Sequence, residues 1–162
     1  MITPQILSDA FENNIEIVKM QTAGLTQADS LVQLPFRSNC LNWVLGHLLS
    51  NRRTILKLLG DEQTIDEALI ARYDYGSEPI IADGEGVLTL EQLLALLDTA
   101  QAQIARLLEA ITDEQLARPL LPFGTRERTL GEWLFFFYFH DCYHVGQTEI
   151  LRQAAGKNDK II

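Results

Sequence analysis

Apolar residues recur along this chain at spacings of three and four, with a start or stop signal at nearly every break. Thr3 before Pro4 opens the first such segment, with proline in the first helical turn, where its missing N–H costs nothing. Leu7, Phe11, Ile15 and Val18 follow on one face, and Gly24 ends the segment. Thr26 to Leu34 reads as a turn or short helix stopped by Pro35. A second helix is predicted from Ser38 or Asn39 through Leu41, Val44, Leu45, Leu48, Ile55, Leu56 and Leu59, with Gly60 as its stop. Thr89-Leu90-Glu91-Gln92 forms a capping box for a third, which runs through Leu93, Leu97, Ala100, Ile104 and Leu107 to about Ile111. A short turn is predicted over Thr112 to Arg118. Thr129-Leu130-Gly131-Glu132 is a second capping box, and the helix it opens ends near Ala155-Gly156. No strand-like alternation, internal repeat or low-complexity tract is visible. The expectation is an all-α fold, an antiparallel four-helix bundle forming a single domain over residues 1–162.

The connection between the second and third long helices, Asp61 to Leu88, is too long for a simple turn. It has one candidate helical stretch, Ile65 to Arg72, and is otherwise broken by Gly76, Pro79, Gly84 and Gly86. Loops longer than about 12–15 residues are uncommon in compact domains and are often lids or binding segments. A crossover spanning the length of the bundle is the alternative, and both readings stand.

Composition narrows the function classes. The chain has 162 residues, 47% hydrophobic and 22% charged, the balance of an ordinary globule. Its net charge is −9, from 22 acidic and 13 basic residues. With Arg52-Arg53 and Arg126/Arg128 as pairs and not a stripe, nothing offers the counterion-displacing surface that nucleic-acid binding needs. The two cysteines, Cys40 and Cys142, make no disulfide framework, and no CxxC pair is present. The segment MITPQILSDAF lacks a basic stretch followed by an apolar one, and the longest apolar run, Trp133 to Phe139, is far short of the roughly 20 residues of a membrane span. A reduced, cytoplasmic setting with no membrane partner is expected.

The chemistry concentrates on the three histidines: His47 on the second helix, and His140 and His144 four residues apart on the fourth. Residues i and i+4 are neighbours on one helix face. A third imidazole from another helix would let three nitrogens converge and leave a coordination position open, as catalytic metal sites require. At about 100° per residue, Trp133, Phe136, Phe137, His144, Gln147 and Leu151 share the face of His140. Cys40, Trp43, Val44, Asn51, Thr54 and Leu58 share that of His47. Burying three imidazoles without partners would cost on the order of 1–3 kcal/mol each. Core histidines with ordinary hydrogen bonds remain the alternative. HDCYH also has the outline of the HExxH of zinc proteases, with Asp141 in the glutamate's place, but aspartate is one methylene shorter.

The segments NWVLGHLLSNRR and, much later, HDCYHVGQTEILRQ resemble the DinB-like superfamily, also called YfiT-like metal-dependent hydrolases. The likeness covers helix order, the long second connection and the H…HxxxH pattern ending in HVGQ. It implies a four-helix bundle holding one divalent metal (Zn, Ni or Fe) through His47, His140 and His144, with water completing the shell. Gln147 matches the glutamine that often follows the last histidine; it and Asn51 become candidate polar contacts for a cofactor or substrate. Characterised members include transferases and isomerases that use low-molecular-weight thiols, and domains of sulfoxide synthases. The synthases carry a glutamate two residues after the last histidine, where this chain has Gly146, which argues against that subgroup. A thiol cosubstrate, a small electrophilic substrate and a pocket walled by Trp43, Trp133 and Phe137 are therefore expected, with water as the second nucleophile. A non-catalytic metal or ligand holder and a stress-linked interaction module are the alternatives from other classes.

Opposite the histidines, the fourth helix carries Gly131, Phe135, Tyr138, Cys142, Val145 and Gly146 where a solvated face would carry Lys and Glu. Such a patch marks an interaction site. With the resemblance, it predicts a homodimer packed through this helix, unless another part of the chain covers the face. Cys142 is expected to be packing, and Cys40 to lie near the pocket rim. Arg52, Arg72, Arg118, Arg126 and Arg128 are candidate anion contacts with solvated positions as the default.

Overall fold

A computed structural model describes residues 3–61, 65–122, 124 and 126–161. Four long helices carry the fold: α1 (Pro4–Thr22), α3 (Leu41–Leu58), α5 (Leu90–Ala110) and α7 (Leu130–Ala154). Shorter elements lie between them: α2 (Gln27–Ser30), α4 (Glu67–Ile70) with the 3-10 turn Ala71–Tyr73, α6 (Asp113–Leu116), and the two-residue strands β1 (Pro119–Leu120) and β2 (Arg128–Thr129). α1 packs on α5 and α7, and α3 packs on the same two, so the long helices close a ring around one apolar core.

Local signals set the helix starts. Thr3 Oγ1 accepts from Ile6 N at the head of α1, and the boxes Thr89/Gln92 and Thr129/Glu132 form on α5 and α7. A further box, Thr112/Gln115, turns the segment before β1 into α6. Gly60 ends α3 at φ +91°, a left-handed conformation that a side chain would strain. Two expectations shift. α3 begins at Leu41 and not at Ser38 or Asn39, with Cys40 as an N-cap that makes no side-chain bond. A small antiparallel hairpin, Leu120 opposite Arg128, also stands where no strand was expected, because two residues are too few for alternation to register.

The long connection is a strap over the outer face of α3. Ile70, Tyr73, Ile80 and Leu88 are buried beneath it. Asn42 Nδ2 donates to Leu88 O (2.8 Å), the Tyr73 hydroxyl donates to Asn42 Oδ1 (3.1 Å), and Leu88 N donates to the same hydroxyl (2.7 Å). Trp43 Nε1 donates to Ser77 Oγ (2.9 Å) and Ser50 Oγ to Asp74 Oδ1 (2.5 Å). Arg72 is used within the strap, donating to the carbonyls of Glu78 and Pro79. Covered outside and in, α3 is buried continuously from Leu41 to Arg52. Gly46 allows this, since a Cβ there would lie 2.0 Å from the Tyr73 ring.

At the centre lies an ion pair. Arg52 and Asp141 are 1% and 0% exposed, with Nη2 3.0 Å from Oδ2. Arg52 Nη1 donates to Gln101 Oε1 (2.6 Å) and Nη2 to Phe11 O (3.4 Å). A guanidinium rooted in α3 therefore touches α1, α5 and α7. Both residues correct the sequence reading. Arg52 is no solvated anion contact, and Asp141 faces away from the histidines, unable to serve as the base of an HExxH-type site. Burial lifts the Asp141 carboxyl to about 6, with the Arg52 charge pulling the other way.

Among the described residues no helix is long and apolar enough to cross a membrane. Removing one member of a buried ion pair strands the other charge, typically at about 3–5 kcal/mol. Arg52→Met is therefore expected to lose about that much in urea unfolding, and Arg52→Met/Asp141→Leu to recover most of it. A single substitution costing under ~1 kcal/mol would contradict this role.

Candidate metal centre

His47 comes from the middle of α3, and His140 and His144 from successive turns of α7. One ligand atom from each lies within 4.8 Å of the other two. The ring centroids are 5.3 Å (His47–His140), 4.8 Å (His47–His144) and 4.6 Å (His140–His144) apart. A tetrahedral ion about 2.0–2.1 Å from each nitrogen needs them roughly 3.3 Å apart.

Each ring is held by Nδ1. The Tyr73 carbonyl lies 2.9 Å from Nδ1 of His47 and can only accept, so Nδ1 carries the proton and Nε2 is bare. Gln147 Oε1 does the same for His144 at 2.7 Å. The Asn51 amide meets Nδ1 of His140 at 2.9 Å with its nitrogen toward the ring. A half-turn of that amide would present Oδ1 instead and leave Nε2 of His140 bare as well. Asn51 and Gln147, expected as contacts for a bound molecule, are thus contacts of the histidines themselves. Fixing the ring through the second nitrogen is how metal-ligating histidines are oriented.

Burial lowers the pKa of all three imidazoles. For His144 it does so from 6.5 to about 4, against the opposing bond to Gln147. The neighbouring rings add repulsion at His140 and His144. Burial thus favours the uncharged form of all three, with the Nε2 lone pairs of His47 and His144 available.

Trp43 stacks on His47 at 4.7 Å and 14°. Phe136 approaches His140 at 6.3 Å, and Tyr143 stands edge-on to His144 at 5.2 Å. Phe136 and Tyr143 join Trp43 as rings against the histidines, whereas Trp133 and Phe137 lie deeper, 5% and 6% exposed. His140, Phe136 and Gln147 are partly exposed and mark the open side. Cys40 does not reach this rim. It is buried with Sγ 3.3 Å from Ile80 O, and burial raises its pKa. Cys142 is packing, against Asn14.

The face expected to pair two copies is divided: Phe135 and Gly146 are exposed, and part of the rest meets α1. Val145 is buried, Cys142 meets Asn14 of α1, and Tyr138 packs edge-on against Phe11 of α1 at 6.1 Å. α1 of the same chain therefore covers the Tyr138, Cys142 and Val145 part of it. The apolar side chains that α7 leaves exposed are Phe135, Phe139, Tyr143 and Ile150, on an arc rotated toward the histidines.

A lowered imidazole pKa means that the unfolded chain takes up a proton below 6.5 which folded His144 refuses until about pH 4. Stability is then lost as pH falls through that window. Relative to His144→Gln, which cannot titrate, the metal-free parent is expected to lose about 2 kcal/mol between pH 6.5 and 4.5 in denaturant titrations. Parallel pH profiles for the two proteins would contradict the burial of His144.

Comparison with known proteins agrees with this architecture. A search of curated proteins gives no match. Among solved structures, one described as "Crystal structure of the conserved protein of locus from Enterococcus faecalis" superposes with a TM-score of 0.74 at 18% identity, covering 97% of this chain and 99% of that one. At that identity the likeness speaks for the fold alone. The family model of the DinB superfamily matches residues 11–148, which takes in all three histidines and the strap between them. The chain belongs to the DinB superfamily.

Proposed function

We propose that His47, His140 and His144 hold one divalent metal ion through Nε2 and that the protein is a metal-dependent enzyme acting on a small electrophilic substrate. What carries this reading is the state of the three Nδ1 atoms. Each meets a partner outside the cluster, which leaves Nε2 of His47 and His144 bare, and that of His140 as well once the Asn51 amide turns, in a cluster where one ligand atom of each residue lies within 4.8 Å of the others. Hydrogen-bonded core histidines would satisfy Nδ1 equally well, but would have no reason to gather the other nitrogens. The same reading takes the ring of four long helices as an antiparallel bundle, the arrangement that brings the middle of α3 beside the middle of α7.

Imidazole ligands suit Zn, Ni and Fe alike. Such an ion, when bound, lowers the pKa of a thiol or water and so makes a nucleophile available at neutral pH. The chain's own residues hold the geometry. The Tyr73 carbonyl, Asn51 and Gln147 orient the rings, Trp43 shields His47 on one face, and the partly exposed edge at His140 and Phe136 leaves the approach open. Among the described residues no Cys, Asp or Glu joins the cluster as a fourth ligand, which favours an enzyme over a closed metal store. By family likeness a low-molecular-weight thiol is the preferred nucleophile, with water second.

Elemental analysis of tag-free protein is expected to find near-stoichiometric Zn, Ni or Fe in the parent and less than about a tenth of it in His140→Ala. Metal-loaded parent should then conjugate one of the common low-molecular-weight thiols to a model electrophile. Parent protein that holds no metal and takes up none when it is added would overturn the metal centre. Metal-loaded protein inert toward every thiol would move water to first place.

A further inference from the structure

A second concavity lies along the flank of α7, lined by none of the three histidines. It encloses about 630 Å³ between the first turns of α1, α6, β2 and the first half of α7. That volume falls in the range of small-molecule sites, about 300–1,000 Å³. Its walls are apolar: Leu7, Leu116, Phe135, Phe136 and Phe139. Phe135 and Phe139 are 47% and 64% exposed, large rings left open among the described residues.

One end of this groove holds Arg128. The Arg128 guanidinium carbon lies 4.8 Å from the centre of the Trp133 ring and 5.1 Å from that of Phe136, two rings set at 89° to one another, so it is held by cation–π contact. Arg126 lines the same end. Among the described residues, no carboxylate forms an ion pair with either arginine. The Glu132 carboxylate accepts from Thr129 N (2.7 Å) and Oγ1 (3.2 Å) as the cap of α7, which holds its pKa below the ordinary carboxylate value, with Arg128 and Arg126 adding to it. Asp113, the other acid of the lining, sits at the start of α6. On a chain of net charge −9, this trough is locally neutral, its two arginines matching its two acids, and among the described residues neither arginine is tied up in an ion pair.

The geometry points to a binding site for a small amphipathic organic anion, its carboxylate forked by Arg128 and its hydrocarbon body lying along Phe135, Phe136 and Phe139. Arginine suits this role because its planar fork matches a carboxylate bidentately while the cation–π contact is kept. The apolar body supplies burial that a free inorganic anion could not.

Calorimetric titration with decanoate, kept below micelle formation, tests the site, with decan-1-ol as the neutral probe of equal length. Decanoate is expected to bind at least tenfold more tightly than decanol. Arg128→Gln should remove that advantage, Arg128→Lys should keep part of it, and decanol should bind all three proteins alike. Circular dichroism confirms that the variants are folded, and His144→Gln should bind decanoate as the parent does, so the result stands apart from the metal centre. Equal binding of decanol and decanoate, indifference to Arg128→Gln, or no binding at all would overturn the assignment. So would a dimer that excludes decanoate and dissociates on Phe139→Lys, since the groove would then belong to a second copy.

Discussion

Two consecutive residues of α3 grip two consecutive residues of α7: Asn51 meets His140, and Arg52 meets Asp141. The second contact is the more demanding. A carboxylate wholly out of water and a guanidinium beside it repay their desolvation only when the geometry is held and the remaining donors find acceptors. Gln101 of α5 accepts from Arg52 Nη1 and the Phe11 carbonyl of α1 from Nη2, while among the described residues Nε has no hydrogen-bond partner. The four long helices must therefore agree on one register for this pair to be tolerable. An apolar core of similar volume would accept a neighbouring register at less cost. With that register set, His140 lies opposite Asn51, and His144, one turn on, opposite His47.

The remaining histidine is placed from outside the ring of helices. The strap over residues 65–88 presents the Tyr73 carbonyl to His47 because the Tyr73 side chain is anchored to Asn42 and Leu88, with Gly46 making room for its ring. A connection that read equally as lid or crossover is thus a fixed wall of the candidate centre. Its length is explained by the face it must cover. α3, buried on all sides over Leu41 to Arg52, would otherwise expose Trp43 and the back of His47.

Much of this was readable from spacing. The four long helices follow from capping boxes and from apolar residues three and four apart; helical faces turn His47, His140 and His144 inward, and it is the family resemblance that makes them one ligand set. The burial of Arg52 was not readable. A charged residue is solvated by default, and its partner lies 89 positions away in sequence with no local signal linking them. The orientation of Asn51 and Gln147 was half readable: a helical wheel puts both on the site face, but whether an amide meets a ligand or an imidazole depends on rotamers. The α7 flank shows a different limit. A wheel finds Tyr138, Cys142 and Val145 opposite the histidines, yet cannot say that α1 covers that side and leaves Phe139 and Tyr143 outside.

The central claim is that three rings, each anchored by Nδ1, offer three Nε2 atoms to one ion. A long-range 15N–1H correlation spectrum of the histidine side chains, recorded before and after one equivalent of zinc, tests it most directly. The expected result is an Nδ1–H tautomer for His47 and His144 at the outset. On zinc addition Nε2 should shift at all three rings, with His140 carrying its proton on Nδ1 in the zinc form. Nε2–H tautomers at His47 and His144, or zinc-induced shifts at Nδ1 or at fewer than three rings, would contradict it.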